Sequence, residues 1–229
     1  MEVLIGVQGP GYVLLASNLN QVRGITIMKP DDDKSRTLND HNLLLYSGEA
    51  GDTVHFAEYI TANIALYSRR NEELELHTEA VANYIRKELA ESLRSKHPYQ
   101  VNLLVGGYDL VDKQAKLYWI DYLGSKAQVP YAAHGYASYY LLSMFDRHMT
   151  PTTPVEEALA LLKKGFEELE RRMPMSLGGF LTKVVDKDGV RIIDLHGKLT
   201  PELMVQFEQE KVHAPVQQEL QPQQPEVSA

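Results

Sequence analysis

The order in which hydrophobic periods follow one another restricts this chain more than any single motif. Short apolar runs come first: Val3 to Gln8, a Gly9-Pro10-Gly11 turn, then Tyr12 to Ser17, together reading as a hairpin. Arg23 to Lys29 reads as a third short strand, Asp31 to Lys34 as a polar loop, and Asn42 to Tyr46 as a strand ending at Ser47-Gly48. The period then changes. Phe56, Ile60, Ile64 and Tyr67 fall three or four apart, as do Val81, Ile85, Leu89 and Leu93, which predicts helices over Glu49 to Arg70 and Thr78 to Ser95. Strands return at Gln100 to Tyr108 and Lys116 to Tyr122, and helices at Tyr136 to Arg147 and Val155 to Arg172. For the last of these, Thr153 is the expected cap, Pro154 the first helical residue and Glu156 the partner in a capping box. Leu159, Leu162, Phe166 and Leu169 mark its apolar face. Phe180 to Val185 and Val190 to Leu195, joined by Asp186-Lys187-Asp188-Gly189, form a closing hairpin. Strands, two helices, strands, two helices, strands is an order satisfied by two sheets packed face to face, each covered by a helix pair.

A chain of 229 residues buries a sizeable core without help from disulfides or metals. It contains no cysteine, which removes disulfide frameworks, thiolate nucleophiles and cysteine-bound clusters together. A formal net charge of -8 argues against a general phosphate-neutralising surface, so no nucleic-acid partner is expected. No apolar stretch has the length of a membrane span. Glu2 stands where a signal peptide would be basic and Gln8-Gly9-Pro10 interrupts the apolar run, so the visible N-terminus is expected to be the mature one. From about Val212 the sequence is rich in Gln and Pro, and 212–229 is expected to be a flexible tail, or one held only by a partner, following a domain at 1–211.

Local motifs for chemistry are absent: no GxGxxG, Walker loop, GxSxG or HExxH. The eight histidines are scattered, and no metal site or cofactor site is expected. Asp31-Asp32-Asp33 lacks the spacing and Gly of a calcium loop and reads as a solvated turn. Gly106-Gly107 and Gly178-Gly179 read as tight turns or close backbone packing, and Tyr136, Tyr139, Tyr140 and Phe145 as core and interface.

Several segments together say more. MEVLIGVQGPGYVLLAS at Met1 to Ser17, SGEAGD at Ser47 to Asp52, YQVNLLVGGY at Tyr99 to Tyr108 and YAAHGYA at Tyr131 to Ala137 resemble the β subunits of the eukaryotic 20S proteasome core. The likeness spans about residues 1 to 195 and is closest to the non-catalytic branch that fills the fourth position of the β ring, the β type-2 branch. It implies an α/β (α+β) fold, a four-layer αββα sandwich of the N-terminal nucleophile hydrolase type. It also implies partners among the β subunits of the same and the opposite ring and the α-ring subunits, with a location in cytoplasm and nucleus.

Active members of that family attack the peptide carbonyl with an N-terminal threonine whose own amine moves the proton. The matching place here holds Met1 or Glu2, neither an acyl-transfer nucleophile. No Gly-Thr is present for self-cleavage, and the one Gly-Ser, Gly124-Ser125, would cost half the domain. By the same resemblance, the family's aspartate falls at Ser17 or Asn18, its lysine at Lys34, and its arginine–aspartate–serine set at Arg172, Met173 and Ser176. Lys34 and Ser176 alone make no active site and read as a solvated lysine and a turn serine, so no catalytic residue is assigned, and the function expected is a structural subunit needed for β-ring assembly. Two rivals are an active threonine- or serine-type peptidase subunit using Ser176 or Thr37, and a free-standing binding module of the same fold.

Overall fold

A computed structural model describes residues 2–193 and Leu195; the expected tail at 212–229 and the boundary at 211 lie outside the described residues. In chain order the elements are β1 (Leu4–Gly9), β2 (Tyr12–Asn18), β3 (Gln21–Arg23), β4 (Thr26–Lys29), β5 (Ser35–Asn39), β6 (Asn42–Gly48), α1 (Asp52–Arg70), α2 (Thr78–Ser92), β7 (Val101–Asp109), β8 (Gln114–Ile120), β9 (Lys126–Gln128), β10 (Tyr131–His134), α3 (Ala137–His148), α4 (Val155–Arg172), β11 (Phe180–Asp186) and β12 (Gly189–Ile193). Two five-stranded antiparallel sheets form, ordered β10-β1-β2-β11-β12 and β5-β6-β7-β8-β9, with β3-β4 a separate two-stranded ribbon.

Alternation along the strands decides how the sheets stack. On β2, Tyr12, Leu14 and Ala16 join Phe145, Leu162 and Phe166 in a core under α3 and α4, while Val13 and Leu15 meet Leu43, Leu45, Leu104 and Leu117 of the other sheet. All seven residues of β2 are therefore buried, as a strand covered on both faces requires. A third core joins Leu44, Leu103 and Val105 to Phe56, Ile60, Val81 and Ile85 of α1 and α2. The layers are thus helix, sheet, sheet, helix, as the element order implied. Phe166 and Phe180 stack at 4.0 Å between helix and sheet.

Gly106 sets the spacing of the two sheets. A β-carbon there would lie 2.8 Å from Val13 and 2.9 Å from Leu15 across the interface, which is the close packing expected of that glycine pair. His134 ties the sheets at one edge: its ring stacks on Trp119 at 5.1 Å and Nε2 lies 3.0 Å from the Leu103 carbonyl.

Three local features differ from the sequence expectations. The strand expected over Arg23 to Lys29 is a ribbon folded at Gly24, whose φ of 61° turns the chain. Strands β5, β9 and β10 were not anticipated, because they are short edge or near-edge segments without a clean apolar alternation. The capping box is not formed. Pro154 is the cap of α4, and the Thr153 hydroxyl oxygen accepts the Thr150 N–H at 2.9 Å instead, bracing the preceding turn.

Candidate functional site between the sheets

The start of β1, the end of β2, the start of β11 and the end of β6 meet at one end of the inter-sheet layer. Antiparallel pairing brings Leu4 opposite Ser17 and Ser17 opposite Leu181, so Ser17 shares the inner face with Leu4 and is buried there. Asn18, the other candidate for the lost acid, has a structural job. Its Oδ1 accepts the Val3 N–H at 2.8 Å and its Nδ2 donates to the Asn20 carbonyl at 2.8 Å.

Lys34 is not the solvated lysine expected from the sequence: it lies at the centre with 1% of its surface exposed, because backbone carbonyls replace water around its ammonium. Its ammonium donates to the Asn18 carbonyl at 2.7 Å, lies 3.4 Å from the Asn20 carbonyl and 3.5 Å from the Asp32 carbonyl, and is 3.4 Å from the Asp32 carboxylate. Burial pushes the lysine pKa down, while Asp32 and Glu2 pull it back up. The cage of carbonyls forms because the chain passes Lys34 twice, at the end of β2 and in the loop before β5.

Glu2 reaches the same place from the other side. Its Oε2 accepts the Gly48 N–H at 2.8 Å. Burial raises the Glu2 pKa, against the lowering effects of the Gly48 N–H and Lys34. Gly48 has a φ of 144°, and a β-carbon there would lie 2.0 Å from the Gln100 carbonyl oxygen, so only glycine can present its N–H in this direction. The small-residue turn at Ser47 to Asp52 thus ends β6 with a backbone donor aimed at residue 2. Met1 lies outside the described residues, so Glu2 is the residue observed at this position.

A second polar tie crosses the layer nearby. Lys183 of β11 donates to Asp33 Oδ2 and to Ser35 Oγ, both at 2.7 Å, and Ser35 donates to Asp33 Oδ1 at 2.7 Å. Sequence reasoning missed this group because Asp31-Asp32-Asp33 reads as a solvated turn. The available signal was Lys183 itself, an inward position on a strand that otherwise alternates among Leu181 and Val185.

The remaining candidates are dispersed. Arg172 lies on the outer surface of α4, paired with Glu168 and placed over the Tyr140 ring at 5.9 Å. Met173 belongs to the outer core, and Ser176 is exposed, with its carbonyl accepting Asn20 Nδ2 at 2.9 Å. Thr37 is exposed on edge strand β5. Gly124-Ser125 is a turn in which the Ser125 N–H donates to Asp121 Oδ1 at 2.8 Å and Arg86 donates to the Gly124 carbonyl at 3.1 Å. A separate open cleft of about 320 Å³ beside α2 holds His77, whose Nδ1 is 3.0 Å from buried Asp109, but no serine, threonine or cysteine lines it. Among the described residues, no group of three or more acidic or histidine side chains is placed to hold a metal. No helix among them is long and apolar enough to cross a membrane.

A profile of the proteasome subunit family matches residues 2–185, most of the fold just described. The chain belongs to the proteasome subunit family. Relatives at 42–54% identity include several named β subunits. The probable proteasome subunit beta type-4 of Schizosaccharomyces pombe is 54% identical over 195 residues, covering 85% of this chain and all of the relative. Proteasome subunit beta type-4 of Saccharomyces cerevisiae is 51% identical over 194 residues, covering 85% of this chain and 98% of the relative. Proteasome subunit beta type-2-B of Arabidopsis thaliana is 43% identical over 191 residues, covering 83% and 94%. The αββα arrangement is therefore that of a proteasome β-type chain, and Lys34, Glu2 and Gly48 lie at one end of the layer between its sheets.

Proposed function

We propose that this β-type chain is a non-catalytic structural subunit of the 20S proteasome core, needed to complete the β ring and so for protein degradation by the whole complex. One observation carries the proposal. The place next to Lys34 and the Gly48 N–H, where a threonine hydroxyl would have to stand, is taken by the Glu2 carboxylate. A carboxylate held by a backbone N–H near a buried ammonium is a satisfied ion, whereas acyl transfer needs a hydroxyl or thiol with a base beside it. Lys34 is committed to the carbonyls of Asn18 and Asn20, and acts as an internal structural cation. The rival peptidase reading has no support from Ser176 or Thr37, which lie on separate surface segments. On this account the chain contacts β subunits of its own and the opposite ring and α-ring subunits, in cytoplasm and nucleus. Its described surface exposes Ile25, Ile27 and Met28 together on the β3–β4 ribbon, a grouping of apolar side chains that suits a subunit better than a free-standing module. Native mass spectrometry of the chain purified from its source tests this: it is expected within a particle containing other β and α subunits, and a chain that runs alone overturns the proposal.

A further inference from the structure

We draw no further inference here: the strongest candidate, the exposed apolar patch of Ile25, Ile27 and Met28 on the β3–β4 ribbon, carries nothing because nothing in the structure shows what covers it.

Discussion

Lys34 has exchanged hydration for a ring of backbone carbonyls, and that exchange makes it irreplaceable by an apolar side chain of similar length. In Lys34→Met the Asn18 carbonyl loses its 2.7 Å donor, the Asn20 carbonyl keeps only Asn18 Nδ2, and the Asp32 carboxylate keeps only the exposed Lys29 as counter-ion. The expected loss is about 2–3 kcal/mol of unfolding free energy, measured by denaturant titration. His134 makes the stability depend on pH. Its ring is buried against Trp119, and burial holds its pKa below the ordinary 6.5, although the Leu103 and Ile120 carbonyls and Asp121 pull it upward. The unfolded chain therefore takes up a proton first as pH falls, which favours unfolding. Stability from this residue is complete above pH 6.5 and is lost as pH drops below that value. His134→Gln is expected to flatten the fall in stability below pH 6.5, even if it is less stable at neutral pH; an unchanged slope would place the titration elsewhere.

Strands and helices respond to packing at specific contacts. Gly106→Ala places a methyl group 2.8 Å from Val13 and 2.9 Å from Leu15, both held in the inter-sheet core, and is expected to cost about 1–3 kcal/mol. Thr153→Ala removes the hydroxyl that accepts the Thr150 N–H ahead of α4, at an expected cost of about 1 kcal/mol. Thermal unfolding of both variants checks these values, and a neutral Gly106→Ala would mean that the sheets part more easily than their contacts imply. The same contacts show what was legible in the sequence. The four helices and the long strands were legible because each has a strong apolar period, and α4 runs over Val155–Arg172 as expected. The Arg171-Arg172 end of that helix is exposed and gives no such signal. Edge strand β5, with Ser35, Arg36, Thr37 and Asn39 among its residues, was hidden because its polar side chains pair across the sheets or face solvent. Around Glu2 and Lys34, the family pattern marked the position of Lys34 but not its burial, because a lysine following three aspartates reads as solvated. The carbonyl cage of Lys34, the seat of Glu2 on Gly48 and the Lys183–Asp33–Ser35 tie were not legible, because each joins residues far apart in sequence through backbone geometry that no local spacing records.

At the scale of the molecule, the helix–sheet–sheet–helix stack gives two helical surfaces over a packed inter-sheet core. Family membership supplies the setting for those surfaces: a β-type chain acts as part of an assembly of proteasome subunits. The account separates two properties that one fold can carry, filling a place in a ring and cutting peptides, and assigns the first to this chain. The decisive measurement is covalent labelling of the purified particle with an electrophilic probe directed at N-terminal threonines, with each subunit then resolved by mass. The account predicts that other β subunits in the same particle take up the probe while this chain keeps its unmodified mass. A probe adduct on this chain, at any residue around Glu2 and Lys34, would contradict it.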